Sequence, residues 1–178
     1  VIPRAEGLGG MWGESALFVE GSRITNIARY GDEALALVAV SDDFGRTWTP
    51  SRRSNLPMAP SKPCAGILRN GQRFLIGSIT ADGGKRRAPL TIAVSKPGEQ
   101  KLCRLFLIRH AEFPAGPGES HRNAALAYPC ATEHDGKLYV AYSNSGGNVG
   151  RKGTGRELWN NNSAELAVLP IAQLRVTP

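Results

Sequence analysis

The residues of this sequence most tightly spaced for chemistry are Ser41, Asp43, Gly45, Thr47 and Trp48, in the order Ser-x-Asp-x-Gly-x-Thr-Trp. The chemistry they suit is that of a tight hairpin turn. Asp43 can accept hydrogen bonds from backbone N–H groups of the turn, and Gly45 can take positive φ. Thr47 is placed to cross-link to Ser41, and Trp48 to pack against a sheet. Three cysteines, Cys64, Cys103 and Cys130, make no disulfide framework and show no CxxC spacing of a metal site. They read as buried small apolar groups, and neither a metal nor a cofactor is expected. The net charge of +7 is compatible with nucleic acid, an anionic membrane or an acidic small ligand as partner. Arg52-Arg53 and Lys85-Arg86-Arg87 are the only tight basic groups, and no nucleic-acid motif frames them. There is also no run of about twenty apolar residues. The basic side chains read mainly as solvated surface, with neither nucleic acid nor membrane as partner.

The elements that must position these groups are strands. With 178 residues, 41% apolar, the chain is long enough for one domain with a real core but not for two. Its 21 Gly and 12 Pro are spread between short apolar runs instead of being gathered in one linker, which marks a turn-rich chain. Ala34 to Val40, Arg73 to Gly77 and Lys137 to Tyr142 are strand-length runs bounded by Gly, Asp or Ser. No segment sustains helical periodicity over three turns. An all-β fold follows.

The run Leu37 to Ser41 recurs as Thr91 to Ser95, with Gly98 near the place of the turn glycine. The two serines stand 54 residues apart, close to the period of a four-stranded propeller blade. A third unit begins near Ala125, and Ala164 to Val176 reads as a last strand that helps close a ring. The Gly- and Asn-rich stretch from Gly146 to Asn162 reads as a loop. About three blades are expected in one partial domain, 1–178, at roughly 10–60, 61–110 and 120–178. The chain begins at Val1, not Met, which is the expectation for a piece of something longer.

The Ser41–Trp48 pattern is the Asp box. With the features around it, the sequence resembles the C-terminal half of the sialidase (neuraminidase) superfamily, in particular its BNR-repeat, exo-α-sialidase-like members. In that half, a Glu on an early strand precedes an Asn-x-Arg-type strand and then an Asp box. An Arg opening a strand that ends in Ser comes next, followed by a Tyr before a small residue or Pro. Here Glu14 stands in Gly13-Glu14-Ser15, and Arg29 ends Thr25 to Arg29. Arg87 opens Arg87 to Ser95, and Tyr128 heads Tyr128-Pro129. The resemblance implies about three four-stranded blades of a six-bladed β-propeller, with the Asp box on the turn between third and fourth strands, away from the catalytic mouth.

It also implies a glycosidase. Tyr128 would be the nucleophile and Glu14 its general base, since a neutral phenol of pKa about 10 needs a carboxylate to take its proton. A carboxylate nucleophile would be repelled by the carboxylate already on the anomeric carbon of a sialoside. Arg29 and Arg87 would belong to the arginine triad that grips that carboxylate, Arg being suited to bidentate, charge-assisted bonds. Lys62 would be a further ligand contact, and His121 and Arg122 would reach the site from a loop. The family's first triad arginine and its acid/base Asp come from the other half, and neither is assigned here. Tyr-Pro-Cys stands where Tyr-Ser-Asp is usual. Two alternatives remain, a lyase acting on uronate-containing glycans and a propeller that binds glycans without turning them over. The implied partners are an acidic glycan and either a missing N-terminal half or a second copy that completes the ring. The resemblance points slightly to a secreted or periplasmic protein.

Overall fold

In the computed structural model, residues 1–80, 86–112, 124–145 and 163–176 are described. The apolar runs pair into three antiparallel sheets. Sheet 1 holds β1 (Met11–Glu20), β2 (Arg23–Tyr30), β3 (Leu35–Ser41) and β4 (Arg52–Pro57). Sheet 2 holds β5 (Cys64–Ile67), β6 (Arg73–Gly77), β7 (Leu90–Ser95) and β8 (Leu102–Arg109). Sheet 3 holds β9 (Ala125–His134), β10 (Lys137–Ser145) and β11 (Ser163–Pro170), its three strands among the described residues. Each sheet is a meander in chain order, and each is one blade of a β-propeller. The segment expected as one last strand, Ala164 to Val176, is β11 followed by a 3-10 turn at Ile171–Leu174. The stretch from Gly146 to Asn162 lies outside the described residues.

Sheet 2 explains why its strands read as unbroken apolar runs: β6 and β7 are buried along their whole length. A strand's side chains alternate between faces, so full burial requires cover on both. Phe74, Ile76, Leu90, Ile92 and Val94 share a core with Leu126, Leu138 and Val140 of sheet 3. The intervening Leu75 and Ala93 pack with Phe18 and Ile27 of sheet 1. The outer faces of the fan are less covered. Leu17 and Val19 are exposed in sheet 1, as are Leu166 and Val168 in sheet 3.

A meander has two rims, one holding the starts of its odd strands and the ends of its even ones. On that near rim Met11 pairs with Tyr30, Cys64 with Ile76, and Ala125 with Ser145. Bonds between sheets match near rim to near rim, as in Leu126 N–H donating to Arg87 O at 2.7 Å. They also match far rim to far rim. Arg73 Nε at the start of β6 donates to Glu20 Oε1 at the end of β1, at 3.0 Å. The first strands lie side by side, β1 against β5 and β5 against β9.

The Ser41–Trp48 turn joins β3 to β4 on the far rim. Asp43 Oδ2 accepts from Thr47 Oγ1 at 2.6 Å, and Oδ1 accepts from Thr47 N–H and Ser41 Oγ, each at 2.8 Å. Ser41 and Thr47 are therefore joined through Asp43, where a direct cross-link was expected. Gly45, at φ 83°, donates its N–H to Ser41 Oγ, and its carbonyl accepts from Trp48 Nε1 at 2.9 Å. These bonds, led by the Thr47 hydroxyl, lower the Asp43 pKa from 3.8 to about 2. A carboxyl depressed in the folded state stabilises the fold above its unfolded pKa, and that contribution is lost as pH falls through the folded one. Thermal melts between about pH 2 and 5 are expected to show wild type losing stability over this window more steeply than Asp43→Asn.

Candidate active site

Glu14 and Arg29 meet where β1 breaks register. Met11 pairs with Tyr30 and Ser15 with Ala28, so three residues of β1 oppose Arg29 alone. Such a bulge bends a strand and re-aims a side chain. Here Arg29 Nη1 donates to Glu14 Oε2 at 2.5 Å, with Arg29 buried and Glu14 half-buried. Both stand on the near rim of sheet 1, opposite the Ser41–Trp48 turn.

Tyr128 stands at a second break. Cys130 pairs with Ala141 and Ala127 with Ser143, so Tyr128 and Pro129 together oppose Tyr142. Its φ is 54°, in the left-handed region that bulky residues rarely occupy. It is 49% exposed, while Pro129 is buried. Like Glu14, Tyr128 lies near the start of its sheet's first strand.

Arg87 does not open β7, which begins at Leu90. Pro89 has no N–H to give a ladder, and the residues before it stay outside the pairing. Arg87 is half-buried, and Nη2 donates to Pro60 O at 3.2 Å in the link between sheets 1 and 2. Its own carbonyl accepts from Leu126 N–H, two residues before Tyr128. Lys62 follows Pro60 by two residues and is exposed. The rim thus gathers Pro60, Lys62 and Arg87 beside the start of β9. Beyond Arg87 a hollow is lined by Arg86, Ala88, Pro89, His110, Ala111 and Glu112. His121 and Arg122 lie outside the described residues. The cysteines correct the expectation of burial, since Cys64 is half-buried and Cys103 and Cys130 are exposed. Cys103 lies on the edge strand β8, and Cys130 alternates with buried Pro129 onto the uncovered face of sheet 3.

Residues 14–140 match the family described as BNR repeat-like domain. The chain belongs to this family. No curated protein matches the sequence significantly. Among solved structures, this BNR repeat-like chain is similar to Trypanosoma rangeli sialidase in complex with 2,3-difluorosialic acid, a covalent intermediate. The TM-score is 0.57 at 14% identity, covering 90% of this chain and 23% of that one. A variant of NanB sialidase from Streptococcus pneumoniae gives a TM-score of 0.52 at 14% identity, covering 89% and 23%. The α-L-arabinofuranosidase Arb93A from Fusarium graminearum gives 0.57 at 12% identity, covering 96% and 48%. The fold is thus one that glycoside hydrolases use. The chain spans about a quarter of the length of these sialidases and about half that of the arabinofuranosidase.

The best-buried ionic cluster of this BNR repeat-like rim, among the described residues, is absent from the expected set. Arg109 of β8 and Glu165 of β11 pair at 3.1 Å with side chains 6% and 10% exposed. Tyr142 Oη and Asn144 Nδ2 each donate to Glu165 at 2.8 Å. Burial alone would raise the Glu165 pKa, but the bonds from Asn144, Tyr142 and Arg109 hold it below the ordinary value. Burial, and then the Glu165 carboxylate, push the Tyr142 phenol well up. The signal available in the sequence was slight, an acidic residue in the otherwise apolar run Ala164 to Leu169.

Proposed function

We propose that this chain forms part of a sialidase-type glycosidase, with Tyr128 as nucleophile and Glu14 as its general base. Arg29 and Arg87, with Lys62 at the edge, grip the carboxylate of a terminal acidic sugar. What carries the reading is the shared placement of Glu14 and Tyr128. Each stands at a register break near the start of a first strand, on one rim, beside a buried arginine or the Arg87 link. Non-glycine residues at positive φ and bulges both concentrate at functional sites.

In the reaction the phenol oxygen attacks the anomeric carbon as Glu14 takes its proton, and water later releases the sugar from the tyrosyl intermediate. The T. rangeli sialidase complex, a covalent intermediate, supports that chemistry by likeness. Further blades, from the same polypeptide or a second copy, complete the ring over the exposed Leu17, Val19, Leu166 and Val168.

The test is binding of N-acetylneuraminic acid against its methyl ester, which keeps the sugar and removes the charge. The acid is expected to bind at least about tenfold more tightly, some 1.4 kcal/mol. Arg29→Lys should lose most of that margin, since an ammonium cannot reproduce the guanidinium fork. Equal affinity for acid and ester in the wild type would overturn the reading of the arginines.

A further inference from the structure

The break at Tyr128 raises a physical question. A bulky side chain at positive φ persists only where its surroundings over-determine it, and an exposed phenol supplies little of that constraint. The strand behind it offers such surroundings. Tyr142 is the residue that Tyr128 and Pro129 jointly oppose, and it is itself paired in register with Glu165 on β11. A single row therefore runs across sheet 3, from the bulge through Tyr142 to Glu165. Tyr142 is 6% exposed, and its ring packs in the core shared with sheet 2. Its hydroxyl is tied to Glu165 Oε2 at 2.8 Å. Asn144 Nδ2 holds the other carboxylate oxygen at 2.8 Å. Arg109 arrives from sheet 2, bonds the carboxylate through Nε at 3.1 Å and is anchored by Nη1 to His110 O at 2.6 Å.

We propose that Arg109, Glu165, Asn144 and Tyr142 are positioning residues that lock the Tyr128 bulge in its observed conformation. The row fixes β10 opposite the bulge, and Arg109 fixes that row to the neighbouring blade. An apolar cluster of the same volume would hold two blades together as well or better. What directional bonds add is one rotamer and one register, the use for which buried polar groups are best attested. The inference deepens the reading of Tyr128 as nucleophile and rests on it only for the catalytic consequence.

The test reads the bulge itself. The chain has four tyrosines, so uniform 3-fluorotyrosine labelling gives four fluorine signals, with that of Tyr128 assigned by its loss in Tyr128→Phe. Tyr142→Phe removes one hydroxyl and keeps the ring. It is expected to shift or split the Tyr128 signal while leaving Tyr30 unmoved, and to speed amide exchange at Tyr128 and Cys130 about tenfold. Glu165→Gln, which keeps acceptor and shape but not charge, is expected to give a smaller change of the same kind. If Tyr142→Phe fails to fold, the same readout on Glu165→Gln decides. An unchanged Tyr128 signal and unchanged exchange in a folded variant would overturn the proposal. So would loss of protection spread evenly over all three sheets, the mark of a clamp with no local role. Sialic acid binding is measured separately on the wild type. A chain that fails to bind refutes the functional reading and leaves the fluorine result standing.

Discussion

Replacing Glu165 by alanine is expected to lower the unfolding midpoint by roughly 10 °C, measured by circular dichroism at neutral pH. The estimate rests on what remains behind. Without Glu165 the Arg109 guanidinium, 6% exposed, loses its carboxylate, and Tyr142 Oη and Asn144 Nδ2 lose the acceptor they share. Removing one partner of a buried ion pair costs about 3–5 kcal/mol. In a domain of this size each kcal/mol moves the midpoint by about 2–4 °C. The exposed pair Arg53–Glu33 gives the contrast: at 2.6 Å it is the shorter of the two, but its side chains are 46% and 41% exposed. Glu33→Ala is expected to change the midpoint by no more than about 4 °C, because exposed pairs are worth about 0–1 kcal/mol. The pH dependence follows from the direction of the Glu165 shift. Its folded pKa lies below the unfolded one, so its contribution is complete above the ordinary glutamate range and fades as pH falls through the folded value. Acid should therefore narrow the gap between wild type and Glu165→Ala. A gap unchanged into strong acid would show that the stabilisation comes from packing and not from the ionised carboxylate.

The sequence disclosed the sheets because their causes are local. Arg73 to Gly77 and Lys137 to Tyr142 carry their strand character in adjacent side chains and turn residues. The 54-residue repeat aligns the ends of β3 and β7 because Ser41 and Ser95 both close third strands. Asp43, Gly45 and Trp48 disclosed their turn for the same reason, all their partners lying within four residues. The register breaks at Glu14 and Tyr128 have no such local signature. A bulge is a mismatch between two strands, and neither strand carries the count alone. The pair Arg109–Glu165 spans 56 residues and two blades, and no periodicity announces a contact of that kind. The start of β7 was misjudged for a nearer reason. The apolar run suggests a strand from Arg87, but Pro89 withholds a donor and pairing begins after it. Cys103 and Cys130 were misjudged because their burial is set by which faces the neighbouring blades cover, a property of the fan and not of the residue.

On a fluorogenic sialoside, the isolated chain is expected to turn over at least about 10²-fold and up to 10⁴-fold more slowly than a complete sialidase, the range that general acid–base catalysis supplies. The sialidases it resembles are about four times its length by the coverage of the match, and the first triad arginine and the acid/base carboxyl are not assigned within it. In the proposed mechanism Tyr128 and Glu14 only prepare the attack. Departure of the aglycone needs a proton that neither delivers while both serve the nucleophile. Adding the remaining blades, in the same polypeptide or in trans, should restore turnover, and Tyr128→Phe in that complete assembly should then abolish it, because a phenyl ring has no oxygen to attack the anomeric carbon. Glu14→Gln should lower kcat and leave the phenol in place. Two results would count decisively against this account. Rapid turnover by the isolated chain, lost in Tyr128→Phe, would mean that these three blades hold a complete site. Full activity of Tyr128→Phe in the complete protein would remove Tyr128 from the chemistry altogether, and with it the reason for a strained residue at that position.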